Sequence, residues 1–298
     1  MDLRERQCKG VMKIGVIEMY SNGKEDAIKP FDMPTHEKES WTNHASNVIA
    51  IIKHYVPNAE IHLVPSSKQG IDYLIKNEIK LINMSLSSYA APWHKELSNH
   101  SFICIAAGND GAEGESGVAR IQNACAVGAI KSDLSPQSYS SYGKGVVKTC
   151  AITGLDTYTG KMLHGTSFAS PVITGLLAQW FIWFKESFGV YPSIRHTNRF
   201  IIENSHDVFD DAWDLRTGYG LFRLPKIFEH KSLELKDGEK VAIINKVTES
   251  IVVRSEIDLV LTPFIKEGRF VTSTRDIGDF AEMTVNWEQA TKTGVFIE

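Results

Sequence analysis

The sequence predicts an α/β fold, a parallel sheet flanked by helices, followed by a small β-rich α+β domain. Three observations carry this. Short β-branched runs alternate with helix-period segments, which is the pattern of a sheet whose strands are joined by crossover helices. The runs are apolar throughout, as in Ile14-Gly15-Val16-Ile17 and Phe102-Ile103-Cys104-Ile105, and such strands are covered on both faces. Beyond about residue 230 the rhythm changes to short strands and turns.

Residues 13–17 read as a strand, 44–54 as a helix, 60–64 as a strand, 70–77 as a helix, and 80–86 and 101–106 as strands. The alternation continues to about Ala151. The longest apolar stretch, residues 171–184, is interrupted by Thr174, Gly175 and Gln179. It falls short of the ~20 residues a membrane span needs and reads as a buried helix. A charged, Gly-containing stretch at 231–240 precedes strand candidates at 241–245, 251–253 and 269–272, placing the expected domains at 1–230 and 231–298.

The chain has 298 residues, enough for a large core, with 43% hydrophobic and 23% charged residues. Its net charge is −4, of which residues 231–298 carry −3 and residues 1–230 carry −1. Neither part is basic, so no nucleic-acid or membrane partner is expected. The four cysteines, Cys8, Cys104, Cys125 and Cys150, are far apart and form no CxxC pair, so they read as reduced thiols. Residues 1–10 lack the apolar core of an export signal, which gives a cytoplasmic expectation.

Three segments carry candidate chemistry. The first is His164-Gly165-Thr166-Ser167-Phe168-Ala169-Ser170-Pro171, directly ahead of an apolar helix. A serine there gains from the helix's positive end and its free N–H groups, although Thr166 or Ser167 could simply cap the helix. The second opens with His44 at the start of a helix, where an imidazole can serve as a general base or be an ordinary solvated side chain. The third is Gly108-Asn109-Asp110-Gly111 at the end of a buried strand, where Asn109 could donate to an oxyanion or shape a turn.

Together, in this order over residues 13–224, the three segments resemble the subtilisin-like (S8) serine peptidases. Asn83-Met84-Ser85-Leu86 looks like that family's substrate-lining strand, and Gly218-Tyr219-Gly220 like its closing Gly-x-Gly segment. The resemblance implies a serine endopeptidase acting on polypeptides, with Ser167 as nucleophile and His44 as base. It also implies an oxyanion hole of Asn109 and the Ser167 N–H, with substrate bound along Ser85, Leu86, Ser87 and Gly108. The family's aspartate at the end of the first strand is here Glu18, with Asp26 and Asp32 as fallbacks. Ser87 and Ser88 stand where glycines are usual. These departures support a rival reading, a catalytically impaired binding or scaffold protein on the same fold.

No metal-binding motif is present; Asp110, Glu113 and Glu115 read as a solvated loop. No cofactor is therefore expected beyond the calcium that the resemblance implies, for which no site is located. The tail, with Pro263-Phe264-Ile265, Gly268-Arg269, Arg275-Asp276-Ile277 and Val285-Asn286-Trp287-Glu288, resembles the copper amine oxidase N-terminal-like, or stalk, domain. Residues 231–298 contain no His or Cys for copper, and an accessory role in protein–protein contact is expected.

Overall fold

The computed structural model describes residues 11–224 apart from 87–89, 115–116, 122, 144–145, 155–159, 161 and 210–212, and beyond 224 the strands alone. The chain divides into two units, the first ending at Leu224. In chain order the first unit contains β1 (Lys13–Glu18), α1 (Glu39–Thr42), α2 (His44–Tyr55), β2 (Glu60–Pro65), α3 (Lys68–Lys76) and β3 (Leu81–Met84). These are followed by α4 (Pro92–His100), β4 (Phe102–Ala106), β5 (Ala124–Ile130), β6 (Thr149–Ile152), α5 (Thr166–Phe188), α6 (Ile194–Glu203), β7 (Ser205–His206) and β8 (Leu221–Phe222).

The eight strands form one sheet in the order β2-β1-β3-β4-β5-β6-β8-β7. All neighbours are parallel except β7 and β8, so the expected parallel sheet is corrected to a mixed one. The antiparallel edge pair has two residues per strand, too short to leave a sequence signal. Helix α4 also goes unread in the sequence, because Pro92-Trp93-His94-Lys95-Glu96 is polar apart from Trp93 and only three of its nine residues are buried.

Alternate residues of the central strands face opposite layers. Ile82, Met84, Ile103 and Ile105 pack with Ile71 and Leu74 of α3 and Leu97 of α4. Asn83, between Ile82 and Met84, faces α5 instead, where it meets Ser170 and Thr174. Helix α5 has the length and apolar composition of a membrane span, but most of it is buried within this unit against α2 and β3 to β6. Gly175 allows the close approach of α2, since a Cβ there would lie 2.6 Å from the Tyr55 ring. Cys104 and Cys125 are register partners on β4 and β5, and with Cys150 they are buried free thiols. Burial pushes the Cys125 thiol up to about 11. Cys8 lies outside the described residues.

In the second unit β9 (Ala242–Asn245), β10 (Ser250–Val253), β11 (Leu259–Leu261), β14 (Thr284–Glu288) and β15 (Thr293–Ile297) form an antiparallel sheet in the order β11-β10-β9-β15-β14. A separate hairpin pairs β12 (Phe264–Lys266) with β13 (Arg269–Val271). Of the residues behind the stalk resemblance, Pro263, Gly268, Arg275, Asp276 and Ile277 lie outside the described residues, as does any helix of an α+β arrangement.

Candidate active site

Three strands and two helices bring the candidates to the carboxyl edge of the sheet. Glu18 is the last residue of β1, and its side chain is almost fully buried. His44 is the first residue of α2, half-buried, with its ring 5.3 Å from that of Phe168. Glu18 Oε1 lies 3.0 Å from His44 Nδ1. A carboxylate there accepts the Nδ1 proton and leaves the Nε2 lone pair free. Burial by itself would lower the His44 pKa, but the charge and hydrogen bond of Glu18 outweigh it and raise the value above 6.5.

The fallback carboxylates are elsewhere. Asp26 is exposed and pairs with Lys53, Asp32 is exposed, and neither is hydrogen-bonded to His44. The added methylene of Glu18 is absorbed without loss of contact with the imidazole.

Ser167 is the second residue of α5, so its N–H has no acceptor within the helix. The residue capping α5 is Gly165, at φ +125, and no side chain caps the helix. The capping alternative for Thr166 and Ser167 is thus replaced by tertiary contacts. Thr166, fully buried, accepts the Gly108 N–H at 3.1 Å through Oγ1 and donates its N–H to Asn109 Oδ1 at 2.8 Å. Because Asn109 Oδ1 is fixed by that backbone donor, the Asn109 Nδ2 amide is left to face away from Thr166. Gly108 has its N–H on Thr166 and its C=O accepting from Ser141, so both backbone groups serve the turn that presents Asn109.

Ser167 Oγ donates to the Ser85 carbonyl at 3.2 Å, and Ser85 Oγ donates to the Ser167 carbonyl at 2.7 Å. Pro171 explains why that second carbonyl is available. Four residues after Ser167 inside α5, it has no N–H to offer. The Ser85 hydroxyl supplies the missing donor and itself accepts from Asn83 Nδ2 at 2.9 Å. Asn83 Oδ1 in turn accepts from Ser170 Oγ at 2.9 Å and Thr174 Oγ1 at 3.1 Å. Sequence reasoning misses these supporting roles of Asn83, Ser170, Thr174 and Thr166. The polar positions 170 and 174, one turn apart on an otherwise apolar helix, are the available signal.

Leu86 is buried in the core and Ser87 lies outside the described residues. Among the described residues no group of three or more His, Cys, Asp or Glu side chains could hold a metal ion. The donor set therefore does not fit the implied calcium, and no step is routed through a metal. Glu115 is outside the described residues.

The model of the subtilase family matches residues 30–220. The chain is 29% identical over 170 residues to a thermostable alkaline protease of Halalkalibacterium halodurans, covering 48% of this chain and 47% of that protein. It is 28% identical over 176 residues to subtilisin BL of Lederbergia lenta, covering 50% of this chain and 65% of the relative. The chain thus spans about half the length of the first of these relatives. Among solved structures it resembles a mutant of the protease domain of PatA, with a TM-score of 0.60 at 16% identity over 72% of this chain and 92% of that one. A cold adapted subtilisin-like serine proteinase gives a TM-score of 0.59 at 20% identity over 74% and 92%. These two likenesses speak for the fold.

The cytoplasmic expectation is corrected by the relatives, since alkaline proteases and subtilisins point to an extracellular location. The family match ends before the tail and does not extend to the stalk resemblance. It starts after Glu18, where the sequence departs from the usual aspartate, and then runs through the histidine, asparagine and serine segments, so that the chain belongs to the subtilase family.

Proposed function

We propose that the chain is a serine endopeptidase that hydrolyses peptide bonds through an acyl-enzyme. The observation that carries this reading is the 3.0 Å contact of Glu18 with His44 Nδ1, on the sheet edge that also bears Ser167. With Nδ1 held as a donor, His44 Nε2 accepts the Ser167 proton once Oγ turns away from the Ser85 carbonyl. Oγ attacks the scissile carbonyl, and the oxyanion is received by Asn109 Nδ2–H and the Ser167 N–H. The imidazolium gives its proton to the leaving amine, and water, deprotonated by the same imidazole, releases the acyl group. The substrate backbone lies along Ser85, Leu86 and Ser87, with Gly108 across the cleft, and extended polypeptides suit such pairing.

One observation favours the rival binding or scaffold reading: Ser167 Oγ is directed at Ser85 and not at His44. A fluorophosphonate probe separates the two. The wild type should be labelled at Ser167, and Ser167→Ala should abolish labelling with an unchanged circular dichroism spectrum. A wild type that resists the probe would remove the peptidase reading. We also propose that residues 231–298 are an accessory module of stalk-like type that mediates protein–protein contact, with 1–230 as the peptidase part. The charged stretch at 231–240 and the change in strand rhythm support this division.

A further inference from the structure

An aromatic cluster adjoins the Glu18–His44 pair. Tyr20 follows Glu18 by two residues, Trp41 in α1 precedes His44 by three, and His36 lies on the connection between them. The Tyr20 and His36 rings meet edge-on at 4.8 Å, Tyr20 and Trp41 stack at 6.1 Å, and His36 and Trp41 are 4.6 Å apart. Trp41 is nevertheless 49% exposed, as is Met19 at 52%, the residue joining Glu18 to Tyr20. Single exposed apolar side chains are ordinary, but a group of them at the rim of a cleft marks a contact surface.

The cluster is also held rigidly. Thr42 Oγ1 accepts the His36 N–H at 2.7 Å, and His36 Nδ1 accepts the Lys38 N–H at 3.0 Å. The Ser21 N–H donates to the Pro34 carbonyl at 3.0 Å. Asn22 Nδ2 donates to Asn43 Oδ1 at 2.8 Å and Ser46 Oγ at 2.9 Å, tying the segment after β1 to the start of α2. A surface already fixed in this way loses little entropy on receiving a ligand. Lys38 Nζ sits 5.1 Å over the Trp41 ring, which leaves the rest of that ring for an apolar guest.

We propose that Tyr20, His36, Trp41 and Met19 form a specificity subsite for an apolar or aromatic side chain of the polypeptide substrate, close to the bond that is cut. This rests on the peptidase reading. The occupant follows from continuity with the cleft: at ~3.3–3.6 Å per residue, Tyr20 lies within about 7 Å of Glu18 along the chain, and Trp41 within about 11 Å of His44. A substrate side chain one to three residues from the scissile bond spans the same range. Aromatic surfaces of this kind contribute contact area with few side-chain torsions to immobilise.

The test uses internally quenched peptides that differ by Phe or Ala at each of three positions on either side of the cleaved bond. The wild type should prefer Phe at one position by about tenfold, through KM. Trp41→Ala should erase that preference while leaving kcat on the Ala peptides unchanged, Trp41→Phe should keep most of it, and Met19→Ser should weaken it. A small fluorophosphonate, too short to reach the cluster, should label Ser167 at the same rate in all four proteins. If labelling is intact but the preference survives in both Trp41→Ala and Met19→Ser, or every peptide is slowed equally, the subsite is overturned and the peptidase reading stands. Absence of labelling in the wild type would overturn both.

Discussion

Ser85 and Ser167 exchange hydrogen bonds, each hydroxyl donating to the other's carbonyl, at 2.7 Å from Ser85 and 3.2 Å from Ser167. The exchange joins the end of β3 to the first turn of α5, two elements separated by about eighty residues of sequence. It depends on Pro171, which leaves the Ser167 carbonyl without its helical donor. Removing the Ser85 hydroxyl would orphan that carbonyl and also Asn83 Nδ2, on a side chain with no exposure. Ser85→Ala should therefore lower stability by about 1–3 kcal/mol for each group left unpaired, read from the urea midpoint. An unchanged midpoint would show that the pair is not a structural link.

Asn109 separates two functions within one amide. Its Oδ1 holds Thr166, and its Nδ2 is the donor assigned to the oxyanion. Asn109→Ala removes both and should reduce kcat by ~10²–10³, the range for one oxyanion donor in peptidases of this kind. Asn109→Asp keeps an acceptor for the Thr166 N–H but places a carboxylate oxygen where the donor stood. It should lose at least as much activity as Asn109→Ala while retaining the wild-type melting temperature better. Equal activity in Asn109→Asp and wild type would exclude the amide from the oxyanion hole.

His44 must be neutral to accept a proton, and its raised pKa sets where that happens. Activity should fall as pH drops, with the acid limb of kcat/KM centred above 6.5. The same shift favours the folded state when His44 is protonated. That contribution is complete below the unfolded-state value of ~6.5 and is lost as pH rises through the raised folded value. A limb centred below ~6.5 would mean that the titrating base is not the Glu18-paired imidazole.

The pieces legible in sequence are those with a local signature. The apolar runs at residues 13–17 and 101–106 are β1 and β4 almost to the residue, and His44 reads as the start of a helix because apolar positions repeat behind it. The buried polar chain from Asn83 through Ser85 to Ser167, Ser170 and Thr174 is not legible. Asn83 and Ser85 lie about eighty residues or more from their partners on α5, and each looks locally like an ordinary polar residue on a strand or a helix. Thr166 misleads for a related reason: Thr at a helix start usually caps, and only the tertiary approach of Gly108 and Asn109 gives its hydroxyl other partners. The choice among Glu18, Asp26 and Asp32 stays open in sequence because all three precede the histidine from the first strand onward, and side-chain direction decides it.

That direction makes Glu18 the sharpest place to test the mechanism. In Glu18→Gln the amide keeps the size of the side chain but removes the charge that raises the His44 pKa, while the burial that lowers it remains. The acid limb of kcat/KM should therefore move below its wild-type position. The plateau should fall by ~10³–10⁴, since an amide can hold the unproductive tautomer and cannot balance an imidazolium. Glu18→Asp restores the charge but shortens the reach by one methylene in a site where the glutamate already meets Nδ1 at 3.0 Å. It should keep the limb above that of Glu18→Gln yet lose about 10²-fold in rate, as a ~1 Å misplacement does. Asp26→Asn, which breaks only an exposed pair with Lys53, and Asp32→Asn should both stay within about twofold of wild type. A Glu18→Gln variant with wild-type rate and an unmoved limb would transfer the carboxylate's task elsewhere, and a strong loss in Asp26→Asn or Asp32→Asn would show where.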